Sequence, residues 1–152
     1  MRVITKGKVK TVYTGDDAHK VVIEYHDKVT AGNGEKEDYP LGKGSLCCSI
    51  SSLLFERLSK EGIPTHYINM VGANKMICRK LDIVPLEVIC RNRAAGSIIK
   101  QTTLHEGQPL PQPIVEFFLK DDSKNDPLLT PDRVRLMGHD PQPFIDITLR
   151  IN

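Results

Sequence analysis

Tryptophan is absent from this chain, and aromatic residues make up only 5% of its 152 positions. So few rings argue against a single-stranded nucleic-acid platform, which works by stacking bases on aromatic faces. Charge of one sign is lacking too: Lys and Arg number 21, Asp and Glu 19, for a formal charge of +2. That balance gives no general grip on nucleic acid or an anionic membrane, so any positive charge that matters is local. No apolar run approaches the length of a bilayer span. The opening Met1-Arg2-Val3-Ile4-Thr5-Lys6-Gly7 has no secretory apolar core, and a cytoplasmic location is expected. Cys47, Cys48, Cys78 and Cys90 make no Cys-x-x-Cys pair, and no histidine stands at zinc-finger spacing. Neither structural zinc nor a disulfide framework is expected.

What is present suits a soluble globular protein: 39% hydrophobic and 26% charged residues, in a length that fits one ordinary domain or two small lobes. The first third reads as strands. Lys8–Tyr13 alternates after a glycine, Thr14-Gly15-Asp16-Asp17 turns, and the β-branched Lys20–Tyr25 returns. Thr30 to Lys36 reads as a glycine-punctuated loop. A helix is expected from Ser45 to Lys60, with Leu46, Ile50, Leu53, Leu54 and Leu58 on one face and Gly62 past its end. Strands are expected at His66–Val71, Met76–Leu81, Ile83–Arg91 (buried) and Ile114–Leu119. A short helix should follow Ser97 to about Leu104. Another should start at Thr130-Pro131-Asp132 and end at Gly138. The prolines at 109, 111 and 113 read as breakers. This order gives the α+β class.

Arg91-Asn92-Arg93-Ala94-Ala95-Gly96-Ser97 carries the most chemistry. Arginine offers a planar fork of donors that fits phosphate or carboxylate, and the small residues let backbone N–H groups come close. The same run is also what a solvated, capped loop looks like. Lys8 and Lys10, placed on one strand beside Gly7, would face one way as a phosphate clamp, or simply form a charged strand face. Lys120-Asp121-Asp122 and Asp126-Pro127 put carboxylates after a strand, where they suit a cation or make an ordinary turn. Glu87 and Arg91 lie on one side of their strand and could form a structural ion pair that orients Arg91. The five histidines form no constellation.

Taken together, the motifs resemble one family. In order they are Gly7-Lys8-Val9-Lys10-Thr11-Val12-Tyr13, Thr30-Ala31-Gly32-Asn33-Gly34, Lys43-Gly44, Glu61-Gly62-Ile63-Pro64-Thr65-His66, Pro85-Leu86-Glu87-Val88, Arg91 to Ser97, Pro113 to Asp122, and Asp126-Pro127-Leu128. They resemble the phosphoribosylaminoimidazole-succinocarboxamide synthases, or SAICAR synthetases. The resemblance implies a kinase-like, β-rich ATP-binding lobe with one helix over residues 1–82, followed by the incomplete first part of a larger α/β lobe over 83–152. It implies a ligase of purine (IMP) biosynthesis. The carboxylate of carboxyaminoimidazole ribotide (CAIR) joins the amine of L-aspartate through an acyl phosphate, giving SAICAR, ADP and phosphate. ATP and Mg2+ are the implied cofactors. CAIR, L-aspartate and ATP are the partners, with no nucleic acid, no membrane and room for a homo-oligomer.

By matched position, the resemblance gives Lys8, Lys10 and Lys120 to ATP. It gives Asn33, Arg91 and Ser97 to CAIR, Asp126 to the aspartate and nucleotide pocket, and residues 79–85 to the adenine. No metal ligand is expected among these residues. The metal-binding carboxylates belong to family segments beyond the match to residue 152, so a catalytically incomplete nucleotide-binding module is the alternative reading. A scaffold that reuses the fold is a third. The chain departs from the family pattern at Cys47-Cys48, where two amides are usual, at Lys28, where an acid is common, and at Gly72-Ala73-Asn74. Thiols cannot reproduce the donor and acceptor pair of an amide.

Overall fold

The computed structural model describes residues 1–31 and 36–152. The chain divides into two compact units, Met1–Asp82 and Ile83–Asn152.

The first unit is built on a five-stranded antiparallel sheet: β1 (Val3–Lys6), β2 (Lys10–Thr14), β3 (Lys20–Tyr25), β6 (Tyr67–Gly72) and β7 (Lys75–Arg79), in the order β1-β2-β3-β7-β6. A two-stranded ladder, β4 (Val29–Ala31) and β5 (Lys36–Asp38), lies where a plain loop was expected. Here Lys28, the departure from an acid, forms an ion pair with Glu37. The helix α1 runs Lys43–Lys60.

The packed face of α1 differs from the expected one. Its buried residues are Gly44, Cys48 and Ser52, whereas Leu46 and Leu53 are 62% and 67% exposed. Close approach explains this. A Cβ at Gly44 would stand 2.7 Å from the Tyr25 carbonyl oxygen, so only small residues fit against the sheet. Cys48 joins Val21, Tyr25, Met76 and Cys78 in the core, with Phe55 and Tyr67 packed against it. The thiol at Cys48 is therefore a packing element.

The second unit holds a three-stranded antiparallel sheet in the order β10-β9-β8, from β8 (Leu86–Arg93), β9 (Pro109–Leu119) and β10 (Leu128–Leu129). The prolines expected to break structure lie inside β9. The ladder to β8 is irregular there, shifting from Arg93 opposite Pro109 to Arg91 opposite Ile114, and such a bulge tolerates residues without an N–H. The strand expected to be buried, β8, is only partly so, with Glu87 exposed and its neighbours half-buried on one face. Glu87, Ile89 and Arg91 share that face with Ile114, Glu116 and Phe118. The opposite face carries Phe117, which is buried and meets Phe144 edge-on at 6.4 Å. Phe144 belongs to α4 (Gln142–Ile151), which covers that face. The short helices are α2 (Ser97–Gln101) and α3 (Pro131–Leu136). As expected, Thr130 caps α3 through its hydroxyl, and Gly138 takes a positive φ of 85° beyond it.

Candidate functional site

In the first unit the two candidate lysines do not share a strand. β2 starts at Lys10, and Lys8 lies in the turn between β1 and β2, closed by the Gly7 amide donating to the Lys10 carbonyl at 2.8 Å. The alternation from Lys8 to Tyr13 suggested a longer strand, but the turn takes its first residues. Lys8 is exposed and forms no ion pair among the described residues. Lys10 stands directly across the ladder from Tyr25, its ammonium 4.5 Å from the ring centroid. A ring face holds a cation without neutralising it. Burial pushes the His66 imidazole below its usual range, and the Lys10 charge pushes the same way. The hairpin therefore offers two ammonium groups that make no ion pair among the described residues.

A second arrangement ties the following segment to α1. The Asp27 carboxylate accepts from the Gly44 amide at 2.7 Å and the Gly42 amide at 3.1 Å. Those two bonds hold its carboxyl below the ordinary range, Gly44 contributing most. In return Lys43 donates to the carbonyls of Lys28 (3.0 Å) and His26 (3.4 Å). Sequence reasoning gave neither Asp27 nor Lys43 a role; an acid before a Lys-Gly helix start was the available signal. Asn33 lies outside the described residues.

In the second unit Arg91 and Ser97 do come together. Arg91 Nε donates to Glu116 Oε2 at 2.5 Å, Nη1 to the Ala95 carbonyl at 2.7 Å, and Nη2 to Ser97 Oγ at 3.1 Å. The guanidinium thus braces the 94–97 turn. That turn needs Gly96, whose φ of 70° and ψ of −132° strain any other residue. The sequence offered Glu87 as a partner for Arg91, but the ladder register decides otherwise. Arg91 faces Ile114 and reaches diagonally to Glu116, while Glu87 reaches diagonally to Lys120 at 3.4 Å. Ser97 is the first residue of α2 and Gly96 holds the N-cap position, so the Ser97 hydroxyl accepts from Arg91 and does not cap the helix.

Lys120 lies at the other end of this sheet face. Its amide donates to the Pro85 carbonyl, and Pro85 to Arg91 is a span of ~20 Å at the rise of an extended strand. Lys120 Nζ stands between Glu87 (3.4 Å) and Asp126 (3.8 Å). Asp126 also accepts from the Asp121 amide at 2.7 Å, in a turn where Asn125 and Asp126 have φ of 56° and 42°. The Ser123 hydroxyl and then the Lys124 ammonium hold the Asp121 carboxyl below its ordinary range. Among the described residues no group of three or more His, Cys, Asp or Glu side chains could hold a metal ion. Residues 80–85 run without regular structure between β7 and β8.

Comparison with known proteins bears on what this arrangement is for. The family model described as SAICAR synthetase matches residues 3–152. The chain belongs to the SAICAR synthetase family. It is 46% identical over 156 aligned positions to a phosphoribosylaminoimidazole-succinocarboxamide synthase of Prochlorococcus marinus, an alignment covering all of this chain and 64% of that protein. A solved SAICAR synthetase in complex with ADP superposes with a TM-score of 0.93 at 38% identity, over 99% of this chain and 65% of the other. The synthase from Ehrlichia chaffeensis gives a TM-score of 0.92 at 32% identity, over 99% and 65%. This member of the family therefore spans just under two-thirds of those relatives' length. Its fold is α+β, as expected. Among the described residues no helix is long and apolar enough to cross a membrane.

Proposed function

We propose that the chain carries substrate-binding machinery of a SAICAR synthetase, which forms an amide between CAIR and L-aspartate at the expense of ATP. The observation that carries this reading is the pair of ammonium groups on the β1–β2 hairpin, Lys8 and Lys10, which make no ion pair among the described residues, in a chain whose relatives include an ADP complex. Both are assigned to the nucleotide phosphates. A multiply charged phosphate chain suits cations that have no carboxylate of their own. Arg91 and Ser97 are assigned to the phosphate end of CAIR and Asn33 to its base. Lys120 is assigned to ATP and Asp126 to the aspartate and nucleotide pocket. The ~20 Å between Arg91 and Lys120 along one sheet face suits the two ends of a ribotide-plus-nucleotide assembly.

In the reaction, a CAIR carboxylate oxygen takes the γ-phosphoryl group and ADP leaves. The aspartate amine then attacks the acyl carbon, a C–N bond forms, and phosphate departs with the carboxylate oxygen. The lysines hold phosphate charge and the arginine fixes the ribotide, so their work is positioning and charge neutralisation. Magnesium enters only as the companion of ATP. A cytoplasmic location and a homo-oligomer go with the reading.

A second reading, binding without turnover, is favoured by one fact: the chain covers 64% of its relative. ADP release from ATP, magnesium, CAIR and L-aspartate, with each substrate omitted in turn, separates the two. Release that requires all three substrates, with a product of SAICAR's mass, supports the ligase. Bound nucleotide with no release supports the binding module.

A further inference from the structure

We infer that Glu116 is a positioning residue for the phosphate end of the substrate, acting through Arg91. The inference rests on the reading that Arg91 takes that phosphate. A guanidinium has five N–H donors. Three are committed, to Glu116, the Ala95 carbonyl and Ser97 Oγ. Among the described residues one N–H on each terminal nitrogen is thereby left for an incoming oxyanion. Free arginine side chains sample many rotamers, and a carboxylate on Nε removes that freedom before the ligand arrives.

The sheet itself supplies a control. Two diagonal pairs occur on the same face of β8 and β9, in the same register sense. Glu87–Lys120 is half exposed at both partners (49% and 49%) and 3.4 Å long, as expected of a pair on a wet surface. Arg91–Glu116 is 13% and 14% exposed and 2.5 Å long. A carboxylate beside an anion-binding arginine opposes the anion by charge alone. Its depth and short contact therefore fit a part that fixes the guanidinium plane and not one that attracts the ligand. The arrangement couples three elements: β9 supplies Glu116, β8 supplies Arg91, and the turn into α2 receives the fork. A merely structural staple would not discriminate between a ribotide and its riboside. A positioning residue for phosphate would.

The test is calorimetric titration of the 152-residue chain with CAIR and with its dephosphorylated riboside, for wild type and for Arg91→Ala, Glu116→Ala, Glu116→Asp and Glu116→Gln. Glu116→Ala is expected to weaken CAIR by ~10-fold or more and the riboside by no more than ~2-fold. Glu116→Asp keeps the charge but draws it back by one methylene, and is expected to weaken CAIR selectively as well. Glu116→Gln still accepts from Nε and should recover most of the affinity. Should Glu116→Ala fail to fold, the aspartate and glutamine variants carry the same comparison. Unchanged or tighter CAIR binding in Glu116→Ala and Glu116→Asp, with Arg91→Ala weakened, overturns the inference alone. Equal losses for CAIR and riboside do the same. Wild-type binding retained in Arg91→Ala, or no CAIR binding by wild type, overturns the phosphate reading and the inference with it.

Discussion

The Asp27 carboxylate and the Gly44 amide meet at 2.7 Å, joining the end of β3 to the first turn of α1. The same glycine lies so close to Tyr25 that a Cβ would stand 2.7 Å from its carbonyl oxygen. Backbone cannot yield as a side chain can. Gly44→Ala is therefore expected to destabilise the fold by about 1–3 kcal/mol, against the ~1 kcal/mol that alanine normally gains over glycine in a helix. Urea unfolding measures the difference. A variant as stable as wild type or more so would show that the helix can shift outward.

The Asp27 bonds also predict an acid dependence. The folded-state pKa lies below the ordinary 3.8. A depressed carboxylate contributes stability that is present above its unfolded pKa and is lost as pH falls through the folded one. Asp27→Asn is expected to lower Tm at neutral pH, and its gap from wild type should narrow between about pH 5 and pH 2. A gap independent of pH would assign the effect to shape and not to charge.

The turn at Asn125 and Asp126 makes a sharper steric prediction. Asn125 has φ of 56° and donates its amide to the Asp122 carbonyl. A β-branched residue tolerates that conformation poorly. Asn125→Val is expected to cost about 1–2 kcal/mol, and Asn125→Gly to stay within ~0.5 kcal/mol of wild type. Thermal unfolding of the two variants side by side gives the contrast.

Thiol reactivity should divide the four cysteines evenly. Cys48 and Cys78 are fully buried, while Cys47 and Cys90 are half-buried. Burial, and then the neighbouring Cys48, raise the Cys78 thiol to about 11, and burial raises Cys48 as well. Thiolate is the reactive form. An Ellman titration at mild alkaline pH should show two thiols reacting in the native state, and two more only after unfolding. Four fast thiols would contradict the packing of α1 on the sheet.

These residues also mark what was legible in the sequence. The β-branched run Lys20–Tyr25 became β3 with the expected bounds, and Thr130 and Gly138 bracket α3, because local chemistry alone decides such features. The packed face of α1 was not legible. Leu46, Ile50, Leu53 and Leu54 have the helical spacing of a core stripe, yet Gly44, Cys48 and Ser52 face the sheet. Periodicity gives a face but not its neighbour, and close approach favours the small residues. The β4–β5 ladder was missed because each strand is three residues long, too short for alternation to register. The partner of Arg91 was missed for a different reason. Spacing along one strand suggested Glu87, and only the pairing of β8 with β9 brings Glu116 near. The hydrogen bond from Arg91 to Ser97 was not legible either: the sequence marked both residues for one anion, and only the geometry of the turn shows that the guanidinium donates to the hydroxyl.

The most direct test of the functional account is a crossed titration, in which the 152-residue chain, Lys8→Ala/Lys10→Ala and Arg91→Ala are each titrated with ADP and with CAIR. The account predicts that the double lysine variant loses ADP affinity by ~10-fold or more and keeps CAIR within ~2-fold, and that Arg91→Ala does the reverse. Binding of both ligands that is indifferent to all three substitutions, in variants that still fold, would contradict it.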